Sequence, residues 1–193
     1  MRRLSAATFL IFAMAAAPLA LAAGHDTKVG VIDAQSVLQR SQAGQEVMQQ
    51  IKAYGKQLQS QMGPEQDKLK KEEADLRRNA KIESKAQQKK AQATFQGHVK
   101  AFQTKAQQAR KSFQEKRASL MIPLQAKLQD VVSAYAKAHG FGMVLDSQAA
   151  IYNASDLDIT DAVLKAFNKA QPHAPKPDTA AAAQAIESGG SGN

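Results

Sequence analysis

The sequence predicts a mostly helical α+β chain in which a small strand-built body carries a long antiparallel helical hairpin. Two observations predict it. Short strand-like segments, Lys28–Asp33 and Phe141–Asp146, stand about a hundred residues apart in the 193-residue chain. The stretch between them contains a single Gly-Pro and otherwise reads as long, basic, amphipathic helix. Such a chain cannot close into one compact ball, so the excursion is the candidate working part.

The return half of the excursion is the more regular. Phe95, Val99, Phe102, Ala106, Ala109, Phe113 and Leu120 follow spacings of four and three, the seam of a coiled coil, interrupted by Lys116. Their spacing predicts that the three phenylalanines are buried in the seam; a contact site for a bound partner is the alternative reading of them. The outgoing half shows a looser version through Val37, Val47, Ile51, Tyr54, Leu58, Leu69 and Leu76, with Gly44 and Gln61 at weak positions. The apolar spacing lapses over residues 79–84, and Ser84 stands three residues before Gln87, an N-cap with its capping-box partner. The hairpin tip is therefore expected near residues 79–84. An outgoing helix from Ser36 to Asn79 would be roughly 65 Å long, so the hairpin must project.

Both strands are apolar on both faces and should be covered on both. Val29, Val31 and Ile32 in the first, and Phe141, Met143, Val144 and Leu145 in the second, are the candidate body residues, joined by Ile151 in a possible third strand over residues 150–153. Asp158 is expected to cap a last helix over residues 159–169, with Asp161 in its first turn. Three short strands and a short helix make little core, and oligomerisation through the strands is the simplest remedy; a monomer whose strands cap its own hairpin is the alternative. Pro123 is expected to bend the return helix where it meets the body, and Gly63-Pro64 to break and joint the outgoing one. The run from Gln171 to Asn193, rich in Pro, Ala, Gly and Ser, reads as a disordered tail.

The chain opens with Arg2 and Arg3, an apolar run over residues 6–17, Pro18 and Ala20-Leu21-Ala22-Ala23, the three parts of a secretory signal peptide with cleavage near Ala22 or Ala23. The apolar run is short for a membrane span, which needs about 20 residues; an uncleaved anchor is the competing reading. The mature chain would keep 24 basic against 17 acidic side chains, a net charge of +7. There is no cysteine, so disulfides and thiolate metal sites are excluded. The four histidines, His25, His98, His139 and His173, have no partner at ligand spacing, and no nucleophile motif, phosphate loop or carboxylate pair stands out. No enzyme activity, metal or cofactor is expected.

Residues 77–117 carry twelve Lys/Arg against Glu83 and Glu115, a net +10 on the distal hairpin. A solvated helix face is the bland account. The imbalance exceeds what solubility requires, and it favours acidic partners at long range. Arg77, Arg78, Lys81, Lys85, Lys89 and Lys90 are the candidate contact residues for such a partner.

Two stretches carry a resemblance. Lys28-Val29-Gly30-Val31-Ile32-Asp33, followed by Val37-Leu38 and Gly44, and then Met143-Val144-Leu145-Asp146, Ile151-Tyr152-Asn153 and Asp158-Ile159-Thr160, are similar to the opening and closing elements of the Skp (OmpH-type) family of periplasmic chaperones. The resemblance spans roughly Lys28 to Lys169; the arms match by pattern rather than by motif. It implies a small β-barrel oligomerisation body with long coiled-coil arms. The body would be residues 28–38 and 123–169, the arm 39–122, and the tail 170–193. It further implies a homotrimer that holds unfolded outer-membrane proteins in a cavity between its arms, without ATP, on their way to the barrel-assembly machinery. Anionic lipid or lipopolysaccharide contact, nucleic-acid binding through the basic arm, or a structural spacer role are the alternatives; export argues against nucleic acid as a physiological partner.

Overall fold

The computed structural model describes residues 27–189. The signal peptide expected over residues 1–23 lies outside the described residues. The element order is β1 (Lys28–Ile32), α1 (Ala34–Arg40), α2 (Gln42–Asn79), α3 (Lys85–Ala138), β2 (Phe141–Asp146), α4 (Thr160–Ala170) and α5 (Thr179–Gly189), with one-turn 3-10 helices at Ser147–Ala149 and Ser155–Leu157. Among the described residues, no helix is long and apolar enough to cross a membrane.

α2 and α3 form the hairpin, with the turn between Asn79 and Lys85. The turn is closed by Ser84, whose backbone N–H and hydroxyl both donate to Gln87 Oε1 while its Oγ accepts the Gln87 N–H. This is the reciprocal capping box, and it starts α3 with its first donors satisfied. α3 is 54 residues long against 38 in α2, an excess of roughly 24 Å. The extra length carries the returning chain past α1 and β1, a strand of roughly 17 Å. β2 therefore begins level with Lys28 and runs parallel to β1, Lys28 opposite Phe141 and Ile32 opposite Asp146.

The register skips Gly142, since Val29 pairs with Met143. Alternation along β2 is reset there, and Phe141 turns with Val144 toward the core rather than with Met143 and Leu145. On its other side β1 meets the chain again at Asp158, and the Ile159 N–H donates to the Val31 carbonyl at 2.9 Å. That contact occupies the second edge of β1. Residues 150–153, expected as a third strand, are not a strand, and the described residues form a two-stranded sheet rather than a closed barrel.

The core lies at the root of the hairpin. Val37 of α1, Ala43, Val47 and Ile51 of α2, Leu120, Leu124 and Leu128 of α3, and Ile159, Val163 and Phe167 in and before α4 are buried together with Ile32. Steps of four along α2, α3 and α4 put each helix's contribution on one stripe. No residue from 52 to 118 is fully enclosed.

The outgoing helix is divided, but not where proline suggested. It breaks at Ser41, which is wholly buried: its N–H closes α1 on the Val37 carbonyl, its Oγ accepts the Gly44 N–H at 3.1 Å to open α2, and its hydroxyl donates to the Leu38 carbonyl. α2 then runs unbroken through Gly63 and Pro64. Proline there removes one bond in a 38-residue helix, and the carbonyl it frees, that of exposed Ser60, faces water.

α4 begins one residue later than expected, at Thr160, with Ile159 at the N-cap. Asp158 still serves the start of the helix, because its Oδ1 accepts the Thr160 N–H at 2.8 Å. Buried Thr160 in turn accepts the Asp33 N–H on its Oγ1, linking the end of β1 to α4. The Thr160 hydroxyl, and after it the Thr160 N–H, hold the Asp158 carboxyl below its ordinary pKa. A carboxylate whose folded pKa is depressed contributes stability above its unfolded pKa and loses it as pH falls through the folded value. Asp158→Asn is therefore expected to destabilise the protein at neutral pH, with the difference from wild type closing below about pH 4. Urea unfolding across that range checks it; a gap independent of pH would refute it.

The tail is not featureless. Residues 179–189 form α5, which packs along α3 and buries Ala182.

Candidate functional site

The distal arm is a ribbon of two helices stitched along its outer edges. Lys105 Nζ lies 2.8 Å from Glu65 Oε1, and His98 Nδ1 lies 2.8 Å from Glu72 Oε2, each pair crossing from α3 to α2. Both are exposed and supply little energy individually; they set which faces of the two helices meet. Between these stitches the seam stays half open. Phe95, Phe102 and Phe113 are only half-buried, whereas their spacing predicted burial. Two helices cover a seam residue from one side and leave its other side open to water. Phe113 packs over Gly55, whose missing Cβ would stand 3.3 Å from the ring.

Two open grooves result. One lies mid-arm, floored by Leu58, Met62, Ala106, Ala109 and Phe113. The other lies near the tip, where Leu76, Ala91 and Phe95 are flanked by Glu72, Asp75, Glu83, Lys90 and His98. Among the described residues, no group of three or more His, Asp or Glu side chains is arranged to hold a metal ion.

The six candidate basic residues all sit on the exposed tip, on the last turn of α2, the turn itself and the first turns of α3. They are not equivalent. Arg77 pairs with Glu73 and Arg78 with Asp75, one helical turn back. Lys81, Lys85, Lys89 and Lys90 have no carboxylate within ion-pair distance among the described residues, so they present the uncompensated charge. The acidic end of α2 also offsets part of the arm's field: residues 65–117 together carry fifteen Lys/Arg against seven Asp/Glu. Sequence spacing could have shown both effects, since the acidic partners lie three and four residues before the arginines. What the charge count missed is Ile82, 82% exposed in the turn between Lys81 and Glu83.

The body candidates divide as well. Val31 and Ile32 are both buried, Ile32 within the core cluster and Val31 on the opposite face of the strand, and Val29, Phe141 and Val144 are half-buried. Met143, Leu145 and Ile151 are exposed, 52%, 40% and 108%, together with Tyr152 at 84%. β2 has β1 on one side and no strand on the other among the described residues. The free edge of β2 and these four large apolar side chains are thus open to water.

The family model "Outer membrane protein (OmpH-like)" matches residues 28–167, a span that takes in the hairpin and both strands. The chain belongs to the OmpH-like family. Among its relatives is the chaperone protein Skp of Pectobacterium atrosepticum, 27% identical over 142 residues that cover 72% of this chain and 84% of that protein. The crystal structure of a candidate outer membrane chaperone (OmpH-like) from Caulobacter crescentus superposes with a TM-score of 0.65 at 19% identity, covering 79% of this chain and 91% of that one. At that identity the likeness speaks for the fold. Membership of the OmpH-like family supports a chaperone role. The matched span ends at Phe167 in α4, so α5 and the segment leading to it lie beyond it.

Proposed function

We propose that this protein is an ATP-independent periplasmic holdase that binds unfolded outer-membrane proteins between helical arms and keeps them soluble until membrane assembly. The observation that carries the reading is the arm: a projecting hairpin in which no residue from 52 to 118 is fully enclosed, with half-open aromatic grooves beside unpaired lysines. Such a surface offers many weak apolar and charged contacts and holds a chain without fixing its conformation. Lysine stems add methylenes next to their charged heads. Exposed Met143, Leu145, Ile151 and Tyr152 beside the open edge of β2 support assembly of the bodies into a homotrimer, with strands joining in a small barrel and the arms enclosing a cavity. Delivery to the barrel-assembly machinery and contact of the basic tip with anionic lipid or lipopolysaccharide belong to the same reading.

The test is the solution mass of the mature protein alone and mixed with a urea-unfolded outer-membrane barrel protein diluted into buffer. Three chains alone and a soluble three-to-one complex are expected; a monomer that leaves the barrel protein to aggregate overturns the reading. Reversing Lys81, Lys85, Lys89 and Lys90 to Glu should weaken client capture about tenfold at low ionic strength and by much less at high salt. Arg77→Glu with Arg78→Glu is expected to do less, because those charges are already paired. Equal protection by both variants and wild type would show that charge at the tip is not part of the site.

A further inference from the structure

Pro123 leaves a vacancy in α3. It has no N–H, so the carbonyl of Ser119, four residues earlier, loses its partner within the helix. Ser119 is 2% exposed, and a buried carbonyl left unpaired is costly. The partner comes from outside α3: the Asp178 N–H donates to the Ser119 carbonyl at 2.9 Å. Asp178 then works a second time, since its Oδ1 accepts the Ala181 N–H at 2.9 Å and so opens α5. The residue that anchors the C-terminal segment through its backbone also starts the helix through its side chain.

Downstream of this anchor, α5 lies along α3 with Ala182 1% exposed, near Tyr54 of α2 and Ser112, Glu115 and Ser119 of α3. Upstream, the segment leaves the end of α4 and is held on α2 by Glu46, which accepts the Ala174 N–H on Oε2 at 2.8 Å and has His173 Nδ1 3.1 Å from Oε1. These contacts, the Ala174 N–H first, keep the Glu46 carboxyl below its ordinary pKa. Pro172, Pro175 and Pro177 have no N–H to satisfy and stiffen the crossing. One segment thus touches α4, α2 and α3 in turn, at the root of the arm and beside its proline.

We propose that residues 171–189 are a built-in brace for the arm, seated on the backbone acceptor that Pro123 creates. When seated, the brace fixes the arm against the body at the proline; when released, it leaves the arm free to pivot there. The inference concerns the arm's mechanics and does not depend on what the arm binds.

Two experiments on the mature protein test it. Pro123→Ala restores an N–H that bonds to the Ser119 carbonyl within α3 and competes with Asp178, without altering any side chain against α5. Amide exchange over residues 178–186 should accelerate about tenfold, with core amides such as those of Val47 and Leu128 unchanged. Unchanged exchange in α5 would show that it is held by side-chain packing alone and would overturn the seat. For the brace itself, the absence of cysteine allows clean spin labelling at Gln57→Cys and Lys165→Cys, with labelled chains diluted into unlabelled protein so that only distances within a chain are read. Truncation after Gln171 should broaden the arm-to-body distance distribution; a distribution as narrow as that of the full chain would overturn the brace.

Discussion

Phe167→Ala is expected to cost about 3–5 kcal/mol, the range for emptying a fully enclosed aromatic site. Phe167 has no exposed surface and sits with Val163 and Ile159 against α1, α2 and α3. It is the largest side chain in a core drawn from only a few turns of each helix, so no neighbouring layer can collapse into the cavity. Set against a typical domain stability of about 5–15 kcal/mol, the loss is a large share of the total. The urea midpoint of the body should fall by roughly 2 M. Phe95→Ala, on the half-open seam near the tip, removes the same ring from a site already partly in water and should move the midpoint far less. Equal shifts would mean that the arm and the body are stabilised alike, contrary to the burial pattern.

Gly44→Ala is expected to destabilise strongly although it exchanges glycine for the best helix former. In an open helical position that exchange gains about 0.5–1 kcal/mol. At Gly44 a Cβ would stand 1.6 Å from the Leu38 carbonyl oxygen, 2.7 Å from the Leu38 carbonyl carbon and 2.8 Å from Ser41 Oγ. The first two are backbone atoms, so no rotamer relieves the clash; α1 must move away from α2, and the buried Ser41 cap goes with it. Overpacking of this kind costs about 1–3 kcal/mol or more, and the melting temperature should drop by roughly 5 °C or more. Gly97 provides the comparison, because a Cβ there meets nothing within 4 Å. Gly97→Ala should raise stability slightly, so the two substitutions are expected to have opposite signs. A neutral or stabilising Gly44→Ala would mean that α1 does not cross α2 at this distance.

Local signals were readable in the sequence, and contacts between distant segments were not. β1, β2, the hairpin turn and the Ser84–Gln87 capping box follow from residues within a few positions of one another. The break at Ser41 was missed because a lone serine in a helical pattern looks like a tolerated substitution; it becomes a double cap only when burial removes water as its alternative partner. Pro64 was overweighted because the carbonyl it frees faces solvent, while Pro123 frees one that does not. The composition of α5 reads as disorder, although alanine favours helix; its contacts, packing along α3 and a hydrogen bond from the Asp178 N–H to the Ser119 carbonyl, come from a segment almost sixty positions earlier. Ile151 and Tyr152 have strand-like chemistry, but both are exposed and make no ladder contact, because strand propensity without a partner and a buried face does not make a strand. At the tip, the basic cluster was legible as a cluster, and its division into paired arginines and unpaired lysines required counting the acidic residues just before it. Ile82 was overlooked because one apolar residue in a turn carries no periodic signal.

The pairing of Lys28 with Phe141 has a consequence for how the chain acquires its shape. Emerging from the ribosome or a translocation pore, β1 is among the first segments available, yet its partner in the ladder arrives more than a hundred residues later. Nothing shorter can close the body, because Leu120, Leu124, Leu128, Val163 and Phe167 arrive late as well. Joining ends so far apart through a flexible loop is entropically expensive and slow. The helices change that: once the Ser84 turn forms, α2 and α3 can zip from the tip toward the root by contacts that are each local to the growing end. The distance to be closed then shrinks with every turn added, until the two strands are delivered side by side. Zipped from its tip, the arm would act as a guide rail that brings the two strands of the body within reach of each other.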